Sequence, residues 1–267
     1  MTADAATTPV QKTETILEVQ DISLSFRGVQ AINRLSFAVR RGEICALIGP
    51  NGAGKSSLLN ILNGVYTPDS GEIYYEGEHF HQLDPLQAAQ RGIGRTFQNN
   101  ALFKTMSVRD NVLTGLSRHA HANFMEHALR LPRARREAAD FLHRSEAVLE
   151  FLELQVHRHT AVGSLPYGVQ KRVELGRALV SSPRLLLLDE PMAGMNADEK
   201  QEMSRFISDI NHDLGITVVL IEHDVGVIMD LSDHVVVLDY GRKVGDGTPA
   251  EVQAHPDVIA AYLGAVH

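Results

Sequence analysis

The segment Gly49-Pro50-Asn51-Gly52-Ala53-Gly54-Lys55-Ser56 fits the pattern G-x-x-x-x-G-K-[S/T] at every position. Residues of these types at this spacing do one kind of chemistry. Backbone N–H groups can close around phosphate oxygens only where side chains are small or absent, and Gly49, Gly52 and Gly54 meet that need. Lys55 brings an ammonium for the β- and γ-phosphates, and the Ser56 hydroxyl suits Mg²⁺. Pro50, Asn51, Ala53 and Ser57 complete the cradle. The helix that must follow aims the positive end of its dipole at the anion. Far downstream, the apolar run 185–188 ends in Asp189 and Glu190. Asp189 is placed to hold Mg²⁺ through water, and Glu190 to polarise an attacking water. A second apolar run, 217–221, ends in Glu222-His223-Asp224. The set predicts a chain that binds a nucleoside triphosphate with magnesium and splits it.

Such groups need a scaffold that presents them at strand ends. Residues 43–48 read as a buried strand entering the loop, and 57–62 as the helix leaving it. Residues 184–188 read as a strand, and an apolar run such as 185–188 suits a central strand of a parallel sheet covered on both faces. Carboxylates at the C-terminal ends of such strands sit where open α/β sheets bind ligands. Upstream, 16–26 and 31–39 read as antiparallel strands joined at Arg27-Gly28. Pro68-Asp69-Ser70-Gly71 marks a turn, and 72–80 then reads as one strand. Asp84 is suited to cap a helix, with Pro85 in its first position. Residues 94–98 read as short and extended.

From Ser107 to about Thr160 the pattern turns helical. Within it, 133–154 is a long amphipathic stretch with Ala138, Phe141, Leu142, Ala147, Val148, Phe151 and Leu152 at helical spacing. Helix 197–212, strand 216–221, a short helix and strand 234–239 resume the α/β pattern. The expected organisation is a disordered tail at 1–14 and one domain over 15–267, with a helical insertion at about 100–163.

Composition narrows the class. A chain of 267 residues that is 44% hydrophobic can build a full core, and its net charge of −8 argues against a nucleic-acid footprint. A lone cysteine, Cys45, excludes a disulfide framework and reads as a buried structural thiol. No apolar run has the length of a bilayer span, which predicts a soluble chain or one held at a membrane by a partner. The pairs His79/His81, His119/His121 and His157/His159 lack an obvious third ligand and read as solvated loop residues. Arg133, Arg135 and Arg136 read as a solvated helix start.

Taken in chain order, these motifs resemble the nucleotide-binding subunit of an ATP-binding cassette transporter, over about 16–264. The resemblance implies an α/β fold: a P-loop NTPase core with a mostly parallel sheet, an antiparallel β subdomain and a helical insertion. It also assigns roles. Phe26, 23 residues before Gly49, matches the aromatic on which adenine stacks. Gln98 matches the glutamine that senses Mg²⁺ and the γ-phosphate, and His223 the switch histidine. Asp189 and Glu190 match the magnesium acid and the catalytic glutamate. Leu165, Pro166, Tyr167, Gly168, Val169 and Gln170 stand in the place of the signature that completes the ATP site of a second subunit. Ala193-Gly194-Met195-Asn196 occupies the loop that touches that subunit.

Gly94-Arg95-Thr96-Phe97-Gln98, the Tyr-Gly signature and the ending at 256–264 resemble one branch, the ATPases of branched-chain and hydrophobic amino-acid importers. ATP and Mg²⁺ are the implied cofactors. The implied partners are a second ATPase subunit, identical or different, transmembrane permease subunits and an extracytoplasmic solute-binding protein. The implied location is peripheral, on the cytoplasmic face of the inner membrane. Residues 98–105, with Phe97, Leu102 and Phe103, are the expected permease docking place, unless these three are core residues. A lipopolysaccharide-type export ATPase and a soluble assembly factor are the alternative functions. The signature departs from Leu-Ser-Gly-Gly-Gln in keeping only Leu165 and Gly168, and Pro166 has neither hydroxyl nor N–H. Either this chain completes its partner's site poorly, or backbone donors suffice.

Overall fold

The computed structural model describes residues 14–96, 102–122, 125–126, 129 and 131–259. In chain order the strands are β1 Thr15–Phe26, β2 Val29–Arg40, β3 Ile44–Ile48, β4 Ser70–Tyr75, β5 Glu78–Phe80, β6 Ile93–Arg95, β7 Leu185–Asp189, β8 Thr217–Ile221, β9 His234–Asp239 and β10 Arg242–Gly247. The helices are α1 Lys55–Leu62, α2 Pro85–Gln90, α3 Val108–Thr114, α4 Pro132–Phe151, α5 Tyr167–Leu179, α6 Ala197–His212, α7 Val225–Leu231 and α8 Pro249–Ala254. The chain divides into two units, Met1–Ala88 with Ser208–His267, and Ala89–Ile207. The division falls inside α6.

In the first unit, β3 lies between β8 and β9 and is parallel to both. β10 closes back antiparallel on β9. Every residue of β3 and of β8 is buried, as expected of strands covered on both faces. Because the pairing is parallel, the C-terminal ends of β3 and β8 lie on one edge. An antiparallel sheet in the order β2-β1-β4-β5 completes the unit. The single strand expected over 72–80 is instead a hairpin, β4 and β5, turning at Glu76 (φ 51°) and Gly77 (φ 78°). Glycine adopts such left-handed angles at no steric cost, and the alternation on either side hides the break.

His234, at the start of β9, joins three elements. Its Nδ1 lies 3.2 Å from Glu43 Oε1 and its Nε2 2.7 Å from Asp246 Oδ1. Hydrogen bonds to Asp246, Cys45 and Glu43 outweigh burial and push its pKa up to about 12. Burial pushes Asp246 up, but bonds from His234 and Lys243 outweigh it and hold the carboxyl below its ordinary value. Cys45 is the buried free thiol that was expected, with its pKa raised by desolvation.

In the second unit, β6 and β7 pair in parallel, with Arg95 opposite Leu187. Helices α3, α4 and α5 pack on one another. Ser107 caps α3 by accepting from the Asp110 N–H at 3.1 Å. Buried Asn111 accepts from the Phe103 N–H at 2.8 Å and donates to the Phe103 and Ser107 carbonyls, pinning the approach to α3. The apolar face expected for α4 is shifted. Of the expected residues Leu152, just past the helix, is buried and Phe141, Val148 and Phe151 are half-buried, but Ala138, Leu142 and Ala147 are exposed, and Ala134, Ser145 and Leu149 are buried in their place. A serine sits in this stripe because its hydroxyl donates within the helix, to the Leu142 carbonyl at 2.8 Å.

Candidate nucleotide site

The phosphate loop leaves the end of β3 and runs into α1 in the first unit. Gly49 has φ 148°, and a Cβ there would fall 2.0 Å from the Leu238 carbonyl oxygen. Gly54 has φ 99°, and a Cβ there would meet the Ala31 carbonyl oxygen at 2.5 Å. These two glycines are therefore demanded by the loop's own packing, and the open cradle follows from that. Buried Ala53 donates its N–H to the Pro50 carbonyl and accepts from the Gly241 N–H, both at 3.1 Å. Lys55 is buried and donates through Nζ to the carbonyls of Gly49 (2.7 Å) and Pro50 (3.0 Å). The cation is thus already inside the loop. Asn51 and Gly52 are exposed, Ser56 and Ser57 half-buried. Gly54 caps α1 without a side-chain bond, which leaves backbone donors at that helix start for an anion.

Phe26 ends β1 in the same unit, 42% exposed, with its ring 5.1 Å from that of Tyr66 at an interplanar angle of 70°. A part-exposed aromatic braced by a second ring suits stacking by a base. His223 follows β8 and is exposed, and its N–H donates to Oε2 of buried Glu222 at 3.2 Å. Asp224 then caps α7 by accepting from the Val227 N–H. His223 and the loop thus share the edge formed by β3 and β8.

The acids lie in the second unit, at the end of β7. Asp189 is buried and its Oδ2 accepts from Arg95 Nη2 at 3.2 Å. Burial pushes its carboxyl pKa up, and Arg95 opposes that rise. Its other oxygen, Oδ1, is buried with no hydrogen-bond partner among the described residues. An orphaned buried carboxylate oxygen fits a cation or its water, so the donor set agrees with magnesium. Glu190 is half-buried with φ 50°. A left-handed angle on a non-glycine residue is a strain of the kind that collects at functional sites.

In the signature segment of this unit, Leu165 is buried, Pro166 stands at the N-cap of α5 without a side-chain cap, and Tyr167 is exposed. Gly168 is buried and Val169 half-buried. Gln170 donates to the Leu165 carbonyl at 2.8 Å, which ties the segment to its helix. In the 193–196 loop, Asn196 Oδ1 accepts from the Glu199 N–H, and the Asn196 N–H donates back to Glu199.

Gln98 and Phe97 lie outside the described residues. Leu102 is buried, so it belongs to the core and not to a docking face, whereas Phe103 is 53% exposed. Arg95, Thr96 and Tyr66 carry contacts that the motif pattern left without a role. Arg95 and Thr96 stand within the quoted Gly94–Gln98 run, but nothing in residue type alone ties them to Asp189. Tyr66 has no sequence signal.

A glycine loop between a buried parallel strand and a helix, with acids at another strand end, defines a phosphate-binding α/β nucleotide cassette. The family model for "ABC transporter" matches residues 32–193, and that for "Branched-chain amino acid ATP-binding cassette transporter" matches 242–267. The chain belongs to the ABC transporter family. It is 39% identical over 249 residues to the high-affinity branched-chain amino acid transport ATP-binding protein BraF of Pseudomonas aeruginosa, covering 93% of this chain and 98% of that one. It is 36% identical, with the same coverage, to LivG of Escherichia coli, which carries the same description. Among solved structures, the ADP conformation of MJ1267, an ATP-binding cassette of an ABC transporter, superposes with a TM-score of 0.82 at 29% identity, covering 94% of this chain and all of that one. A nucleotide-free cassette gives 0.81 at 28%, covering 93% and 98%.

Proposed function

We propose that this chain is the ATP-binding and ATP-hydrolysing subunit that powers a membrane importer for branched-chain or other hydrophobic amino acids. The observation that carries the reading is the full-length likeness to branched-chain amino acid transport ATP-binding proteins. The same relatives favour it over the export and assembly-factor alternatives.

Phe26 stacks on the adenine, and the residues from Gly49 to Ser57 enclose the phosphates with N–H groups. Lys55 turns from loop carbonyls to the β- and γ-phosphates. Magnesium, held by Ser56, Asp189 and Gln98, would offset the phosphate charge. Glu190 takes the proton of the attacking water, and His223 and Gln98 contact the γ-phosphate. Residues 165–170 complete the site of a second ATPase subunit with α5 backbone donors. ATP binding closes the pair, since the closed form alone makes both sets of phosphate contacts, and hydrolysis releases it. The helical insertion at about 100–163 passes the motion to permease subunits, with Phe103 as an apolar contact. No helix among the described residues is long and apolar enough to cross a membrane, and the permease partners hold the subunit peripherally on the cytoplasmic face of the inner membrane. A solute-binding protein outside the membrane delivers the amino acid.

The test is transport by the intact complex in proteoliposomes. ATP inside the vesicle with the nucleotide sites should drive uptake of labelled leucine, isoleucine or valine. Co-purification without any multi-span partner would support the assembly-factor role and refute import.

A further inference from the structure

At the edge where β6 and β7 end, the two oxygens of Asp189 have unequal surroundings. Oδ2 accepts from Arg95 Nη2 at 3.2 Å, and both side chains are almost wholly out of water, 5% and 3% exposed. Oδ1 is equally sealed and accepts from none of the described residues. The backbone repeats the grip. The Thr96 N–H donates to the Leu187 carbonyl at 3.0 Å, and the Asp189 N–H donates to Thr96 Oγ1 at 3.4 Å. Two adjacent residues of one short segment therefore hold Asp189, one through its main chain and one through its side chain. Lys171, the other cation acting on Asp189, is engaged with Glu174 at 3.2 Å.

The geometry points to Arg95 as a positioning residue for the metal: it clamps Oδ2, fixes the plane of the carboxylate, and so presents Oδ1 to magnesium or to its water. This rests on the reading of Asp189 as the magnesium acid. On this reading Arg95 acts through Asp189. The partner of a ligating carboxylate commonly sets metal affinity, because a ligand already held in place loses less freedom on binding. An arginine this close also repels a dication by simple charge. The two effects have opposite signs, and the positioning role requires that orientation win.

The test uses the intact complex carrying Glu190→Gln, so that ATP stays unspent. Mn²⁺ is titrated against it with ATP present and followed by electron paramagnetic resonance. Arg95→Gln keeps an N–H donor without the charge. Arg95→Lys keeps the charge without the planar fork and carries the test should the neutral variant fail to fold. Arg95→Gln should weaken Mn²⁺ binding about tenfold, the usual scale for such partners. Arg95→Lys should weaken it less, and ATP binding in chelator should stay within about twofold for both. Unchanged or tighter Mn²⁺ binding in the folded variants would overturn the inference, as would an equal loss of metal-free ATP binding. Asp189→Asn separates the two levels. If it leaves Mn²⁺ affinity intact, the metal reading of Asp189 fails. If it weakens Mn²⁺ binding and neither Arg95 variant does, the Arg95 inference alone fails.

Discussion

The phosphate loop and the signature segment both offer the N-terminus of a helix, but they are equipped differently. α1 starts at Gly54 with Lys55 drawn in against the loop carbonyls, so this half carries a cation of its own. α5 is capped by Pro166, which has no hydroxyl, its first residue Tyr167 is exposed, and its Lys171 is paired with Glu174. The first can capture a triphosphate unaided. The second has no cation of that kind, and its backbone donors and dipole are worth about 0.3–1 kcal/mol at an exposed helix end. On the proposed function it adds to phosphate that another subunit presents. On that reading capture and clamping are separate jobs given to separate segments.

The contrast can be broken by experiment. The largest effect belongs to Lys55→Ala, which should weaken ATP binding more than about a hundredfold, since hydrogen bonds to charged groups contribute about 1.5–3 kcal/mol each and this ammonium serves two phosphates. Near-normal affinity in an equilibrium titration would remove the loop's special standing. Next is Phe26→Ala. Loss of stacking at about 1–3 kcal/mol per base predicts roughly tenfold weaker ATP binding, restored by Phe26→Tyr. An unchanged dissociation constant would take adenine away from this ring.

Pro166→Ser sharpens the comparison from the other side. One added hydroxyl bond, at about 1 kcal/mol, should raise turnover about fivefold. Serine is also the better helix cap, so the melting temperature is measured alongside. Unchanged turnover would mean that backbone donors already suffice.

The smallest effect concerns the scaffold. The His234 pKa is raised in the folded chain from 6.5 to about 12, so its contribution is full below pH 6.5 and is lost as pH rises toward 12. The Asp246 carboxyl is depressed below 3.8, so its contribution is present above that value and lost as pH falls through the folded pKa. Melting temperature should peak between these limits, and His234→Gln should flatten the alkaline fall by roughly 2–4 °C. An alkaline limb that this variant leaves unaltered would contradict the assignment.

Much of the architecture was legible because continuous apolar runs and caps are local signals. Helix 197–212 and strand 234–239 are found at the expected residues, and the Asp84-Pro85 start lies where its cap predicted, with Asp84 accepting from the Gln87 N–H. The face of α4 was not legible, because alanine fits either side and Ser145 satisfies itself. β10 has no apolar pattern to read, since it pairs with β9 alone among the described strands. Of the site, the loop and the strand-end acids stand in a linear pattern. The grip of Arg95 on Asp189 joins residues 94 positions apart and depends on the register of β6 against β7.

The central claim is that captured ATP is cleaved with Glu190 as the base. It is tested most directly by measuring bound ATP and released phosphate on the same complex, with and without Glu190→Gln. The account predicts equal ATP binding, continuous phosphate release from the unaltered complex, and release reduced at least about a hundredfold in the variant, the lower end of what a general base contributes. Comparable phosphate release from both would contradict it.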